Sequence, residues 1–174
     1  VINDGFVLPD REMVFDKRFD LNGCLLAFHS FLRNYSVGGK PFDLFLKEMC
    51  IAHNVNMRLI LPFLQMGHGM LSRKQEPGQV RMTVPERWGN DRRPFGIQLA
   101  ESIKAFRTSY DTADLEEPFQ LKDTVLLPKS RVSFALISYI GEAGQQAYPD
   151  SGLWLYVRCF NQLGRFVRYY GANG

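Results

Sequence analysis

The sequence predicts an α+β fold, one bent antiparallel sheet with two or more short helices packed on it, and three observations carry that reading. Apolar residues alternate with a period of two in several stretches, recur at helical spacing in others, and are separated by clusters of Gly, Pro and acidic residues. With 174 residues and 45% hydrophobic content, one core accounts for the chain. Residues 1–12 read as an N-terminal arm ordered on self-association, and 13–174 as a single core domain.

The first strand is expected over 13–21, where Phe15, Phe19 and Leu21 alternate with Asp16, Arg18 and Asp20. Asn22 then caps a helix through Leu32, with Leu25, Phe28 and Leu32 on its apolar stripe. The run VGGKPF at 37–42 is a turn that places Pro41 at the start of a second helix, which runs to about His53 and buries Phe42, Phe45, Leu46, Met49 and Cys50. From Gly78 the period becomes two again: Val80, Met82 and Val84 predict a strand that Pro85 stops. Phe95, Ile97, Leu99 and Ile103 extend the alternation to about Tyr110, and the acidic stretch 111–118 is a loop. Val132, Phe134, Leu136 and Ile140, then Leu153, Leu155 and Val157, predict two further strands joined as a loose hairpin.

Charge and cysteine usage narrow the function. The net charge of +3 comes from 21 basic residues set against 18 acidic ones, so an anionic partner must be met by local patches. Cys24, Cys50 and Cys159 are an odd number, widely spaced, which fits packing thiols in a reducing compartment. The longest apolar stretch, 57–70, is interrupted by Arg58, Pro62, Gln65 and His68 and is shorter than the roughly 20 residues a membrane span needs. No basic start followed by an apolar run predicts a leader peptide, and the first residue, Val1, suggests a processed or trimmed chain.

Catalysis finds little to build on, and no enzyme, cofactor or metal is expected. His29, His53 and His68 with the three cysteines lack the paired short spacings of a zinc site. No Gly-x-Ser-x-Gly elbow occurs, and Gly38, Gly39 and Lys40 lack the glycine spacing and following hydroxyl of a phosphate loop. Asp114, Glu116 and Glu117 read as a solvated loop rather than an acid–base pair.

Binding residues are easier to nominate. Leu61, Phe63, Leu64 and Met66 follow Pro62 or flank it and run into Gly67-His68-Gly69, so they form either an apolar loop for lipid or a neighbouring subunit, or a buried strand with Leu59. Arg73, Lys74, Arg81, Arg87, Arg92 and Arg93 make a basic rim beside them, with Trp88 among them, suited to anionic headgroups or a nucleocapsid. Near the C-terminus, Arg165, Arg168, Tyr169 and Tyr170 interleave cations with aromatics, as single-strand nucleic-acid binders do, without the further platform that sequence-specific reading needs.

Two stretches in fixed order, YSVGGKPFDLFL at 35–46 and VPERWGNDRRPFGIQL at 84–99, with Gly152, Leu153 and Trp154 after an acidic loop as a weaker third, carry a family likeness. The chain resembles a rhabdovirus matrix protein of the vesiculovirus kind over roughly 13–157. Gly39, Lys40, Pro41, Phe42, Pro85, Pro94 and Phe95 are the matching structural positions. The resemblance implies helices on a bent antiparallel sheet, with an exposed hydrophobic loop corresponding to 61–66. It implies a structural protein lying between envelope and nucleocapsid in the virion, and at the inner face of host membranes and in the host cytoplasm during infection. Such a protein self-associates, condenses the nucleocapsid, binds anionic lipid peripherally and drives budding; some members also suppress host gene expression. The lysine-rich N-terminal arm and the Pro-Pro-x-Tyr budding motif of the family have no counterpart in these residues. The rival readings are a soluble host-directed interaction protein and a single-strand RNA-binding domain acting through Trp88, Tyr169 and Tyr170.

Overall fold

The computed structural model describes residues 6–80, 93–120, 125–144 and 149–169. Among them the chain mixes helix and strand, and helix dominates. A 3-10 turn at Asp10–Glu12 precedes α1 (Leu21–Ala27), and a second at Phe31–Asn34 precedes the hairpin of β1 (Ser36–Val37) and β2 (Lys40–Pro41). Helices α2 (Phe42–His53) and α3 (Met57–His68) follow. The second half holds α4 (Phe95–Asp111), the hairpin of β3 (Phe119–Gln120) and β4 (Val125–Leu126), α5 (Arg131–Gly144), α6 (Pro149–Leu163) and a closing 3-10 turn at Gly164–Phe166. The described strands form two separate two-stranded antiparallel pairs, not one bent sheet.

Helix α2 matches its sequence signals. Gly38 and Gly39 both take positive φ, 58° and 84°, which lets a two-residue turn close β1 on β2. Pro41 then sits at the N-cap position, Phe42, Leu46 and Cys50 face the core, and Asn54 ends the helix in the left-handed conformation at φ 51°. The first helix is shorter than expected. Asp20, not Asn22, caps it by accepting a hydrogen bond from Gly23 N at 3.0 Å, and a side chain at Gly23 would collide with that carboxylate.

Three expected strands are helices: α4 and α5 carry buried polar residues on the core stripe, and α4 and α6 carry exposed apolar ones. In α4 the buried face is Phe95, Gln98, Leu99, Ser102, Ile103 and Phe106, a helical stripe with two polar members, while Ile97 is 45% exposed. Gln98 is satisfied by donating to Arg93 O at 2.8 Å, so it can occupy a position that reads as surface. In α5, Ser133 plays the same part beside Val132, Leu136 and Ile140. In α6 the buried residues are Leu153, Tyr156, Phe160 and Leu163, and Leu155 is 44% exposed. Of the strand expected over 13–21, only Phe19 pairs, in a single antiparallel bridge with Val167. Val80 is buried without being in a strand, and Met82, Val84 and Pro85 lie outside the described residues.

The N-terminal segment is docked within its own chain from about Val7, because Val7 and Leu8 are apolar and α5 offers them a site. Their amides donate to Ser133 Oγ at 2.7 and 3.3 Å, and Ser130 Oγ donates to Leu8 O at 2.6 Å. Helix α3 packs on α6, α4 on α5, α5 on α6, and α2 on α4. Between them lies an aromatic cluster centred on Phe63, whose ring is 4.2 Å from Tyr139, 4.9 Å from Tyr156 and 6.3 Å from Phe106. No helix of the described residues is long and apolar enough to cross a membrane.

Candidate functional site

Because α6 turns its apolar residues toward α3 and α5, its other face carries Trp154, Arg158, Asn161 and Gln162 to the surface. Positions 154 and 158 are one helical turn apart, and the Arg158 guanidinium lies 5.3 Å from the ring of Trp154, which is 50% exposed. At the end of α6, Arg165 lies 5.4 Å from the ring of Phe28 and 4.8 Å from that of Phe166. The chain then runs back along 18–20: Asp20 N donates to Phe166 O at 2.8 Å and Arg168 N to Arg18 O at 2.8 Å. That pairing brings Arg18 to 5.1 Å from the ring of Tyr169.

Two of these cations are neutralised and two are not. Asp16 holds Arg18 with two hydrogen bonds, at 2.9 and 2.8 Å, which lower the pKa of the carboxyl. Asp20 pairs with Arg168 at 2.7 Å. Arg158 and Arg165 have no carboxylate partner among the described residues and present their charge to solvent over aromatic rings. The result is an exposed ridge of alternating arginine and aromatic side chains along α6 and the C-terminal segment.

Beneath the ridge, Arg58 reaches from α3 across to α6. Its guanidinium stacks 3.7 Å from the ring of Phe160 and donates to Phe160 O at 2.8 Å. Partial burial lowers its pKa, and Gly164 leaves room for it, since a Cβ there would come within 2.6 Å of Arg58 Nη2.

The residues nominated from sequence fare unequally. Leu61, Phe63 and Leu64 are not an exposed loop but the buried face of α3, with Phe63 only 2% exposed, and Met66 is partly buried against the same core. The turn signals around them have other roles. Asn56 caps the helix by accepting from Arg58 N, Pro62 sits inside it, and Gly69 ends it at φ 60°. Of the basic rim, Arg73 and Lys74 are exposed and Arg93 pairs with Glu101 at 2.6 Å; Arg81, Arg87 and Arg92 lie outside the described residues. So do Trp88 and Tyr170. Lys40 pairs with Glu48 at 2.7 Å, Gly39 and Pro41 shape the β1–β2 hairpin, and Pro94 precedes Phe95 at the start of α4. Phe42 and Phe95, from the two separate motif stretches, stack with centroids 6.2 Å apart.

No family model, curated protein or solved structure matches the chain. No family is assigned to it.

The other chemically capable residues are dispersed or sealed. No three His, Cys, Asp or Glu side chains among the described residues converge on a metal position. Asp114, Glu116 and Glu117 are exposed, with Asp114 accepting from Glu116 N at 2.9 Å. All three cysteines are free and buried. Burial pushes Cys24 up to about 12, with neighbouring Cys159 adding to the effect, and Cys159 up to about 11; Cys50 is raised by burial as well. The ridge itself was half legible: Arg165, Arg168 and Tyr169 stand out as a run. Trp154 and Arg158 join it only once 153–157 is helical.

Proposed function

We propose that this chain is a non-catalytic binding and assembly protein whose α6 ridge grips single-stranded nucleic acid, as a nucleocapsid would present it, without reading its sequence. One observation carries the reading: Arg158, Arg165 and Arg18 are exposed and each lies over an aromatic ring, on α6, just after it, and on the segment the C-terminal residues pair with. Phosphates would meet the unpaired charges of Arg158 and Arg165, and bases would stack on Trp154 and Tyr169, the latter 74% exposed. In the matrix-like setting suggested by the sequence resemblance, the ridge is the nucleocapsid contact, and self-association into a layer multiplies a weak single grip. A membrane contact in that setting would rest on basic surface residues such as Arg73 and Lys74, because Leu61, Phe63 and Leu64 belong to the core.

The test is fluorescence anisotropy with a labelled uridine 20-mer at low and high salt, on the intact chain and on an Arg158→Gln, Arg165→Gln variant. Binding that weakens with salt and falls about tenfold in the variant supports the reading. No binding at any salt, or undiminished binding by the variant, overturns it. Sedimentation with anionic vesicles in place of the oligonucleotide, where the oligonucleotide fails, moves the ridge to a lipid-binding role.

A further inference from the structure

Bordering the Arg18 end of the ridge, the segment 15–22 and the first turns of α2 enclose an open cavity of about 300 Å³. Its apolar walls are Phe19, Leu21 and Met57, all buried, Phe15, half-buried, and Leu44 on the α2 side. Its charged lining comes from both sides, Lys17 from the N-terminal segment and Lys47 with Asp43 from α2. Asp20 also lines it, but its carboxylate is committed to Gly23 N and Arg168. Neither Lys17 nor Lys47 has a carboxylate partner among the described residues, so the cavity keeps one uncancelled positive charge after Asp43 is counted.

We infer that this cavity binds a small organic anion, a carboxylate or phosphate monoester carrying an apolar body, with the charge held by Lys17 and Lys47 and the body against Phe15, Phe19 and Met57. An ammonium offers three donors and no acceptor, so its complement is an anionic oxygen rather than a hydroxyl or an amine. Apolar walls with convergent polar groups are the general form of a small-ligand site; here half of the lining residues are charged or polar, and the volume is at the lower end, enough for roughly one ring or a short acyl chain. Inorganic phosphate alone leaves the apolar walls uncovered, and a neutral hydrocarbon leaves both ammonium groups without a partner. The same chemistry could come from a free metabolite or from a lipid headgroup with its glycerol and first methylenes.

The experiment is a titration of the intact protein followed by NMR of the Met57 methyl and the Lys17 and Lys47 side chains, with phenyl phosphate as probe. The expected result is saturable shifts at all three, no shift of the Met57 methyl with inorganic phosphate, and affinity at least tenfold weaker in a Lys17→Gln, Lys47→Gln variant. Both lysines are exposed, so their replacement leaves the fold intact. An Arg158→Gln, Arg165→Gln variant should bind the probe unchanged, which separates this site from the nucleic-acid ridge. Repeating the titration with dihexanoyl phosphatidic acid identifies the source: tighter binding than phenyl phosphate points to lipid, weaker binding to a free metabolite, and the site stands in either case. Absence of saturable shifts, equal affinity in the lysine variant, or loss of binding in the arginine variant would overturn the assignment.

Discussion

The guanidinium of Arg58 lies 3.7 Å from the ring of Phe160 and donates to that residue's own carbonyl at 2.8 Å, so one side chain fastens α3 to α6 by stacking and by a charge-assisted hydrogen bond. The carbonyl of Phe160 is near the end of α6, where helix carbonyls lack partners within the helix. Replacing Arg58 with Met keeps the apolar stem and removes the donor; replacing it with Ala removes both. Urea denaturation should show a loss of about 1.5 kcal/mol for Arg58→Met and about 3 kcal/mol for Arg58→Ala. No loss for Arg58→Met would mean that the hydrogen bond is idle, and equal losses in the two variants that the stem's packing is.

The burial of Phe63 turns a membrane-insertion experiment into a folding one. Its ring contacts Tyr139, Tyr156 and Phe106, so Phe63→Ala opens a cavity among three aromatic rings and should cost about 4 kcal/mol in urea denaturation. A Phe63→Ser, Leu64→Ser variant should lose cooperative unfolding altogether, because it also buries two hydroxyls where no polar partner was needed. Retention of near-native stability by either variant would place Phe63 at the surface after all.

Those same residues show how much the sequence discloses and where it misleads. The VGGKPF turn and α2 were readable to within a residue, since two glycines, a proline and five apolar positions all agree with the local backbone. Helices α4, α5 and α6 were read as strands because Gln98, Ser102 and Ser133 occupy buried stripe positions, satisfied by partners that no local pattern reveals, while Ile97 and Leu155 are apolar on the outside. Pro62 broke the pattern of α3 in the same way: tertiary packing on α6 outweighs the one hydrogen bond the proline deletes. Of the ridge, the Arg165–Tyr169 run was visible as composition, but the stacking of Arg158 on Trp154 depends on a helical period that alternation of Leu153, Leu155 and Val157 concealed.

Acid should report on Asp16. Hydrogen bonding to Arg18 lowers its folded-state pKa, so the interaction stabilises the fold above the unfolded carboxyl value near 4 and is lost as pH falls through the lower folded value. An NMR titration of the Asp16 carboxyl should find its midpoint below that of an unfolded peptide, and Arg18→Gln should return it upward. The stability difference between the intact chain and Asp16→Asn should shrink as pH falls through that midpoint. A carboxyl titrating at its ordinary value in both proteins would show the Asp16–Arg18 pair to be open in solution.

Alkali should act through Tyr156, whose hydroxyl donates to Leu59 O at 2.6 Å in the packed space between α3 and α6. Burial raises its pKa well above the ordinary 10.0, and Cys24 and Cys159 are raised from 9.0 to about 12 and about 11. For each group the folded state retains a proton that the unfolded chain releases. The stability is therefore complete below the unfolded values and declines as pH rises from about 9 toward the raised ones. Tyr156→Phe separates two effects of the hydroxyl. At pH 7 it loses a hydrogen bond and leaves the Leu59 carbonyl without that donor, costing about 1.5 kcal/mol. Above pH 10 it no longer has a phenol to ionise, so its stability should fall less steeply than that of the intact protein and the two urea midpoints should converge. Parallel decline over pH 8–11 would show that Tyr156 ionises as readily in the folded chain as in the unfolded one, and would remove it from the sealed core of α3 and α6.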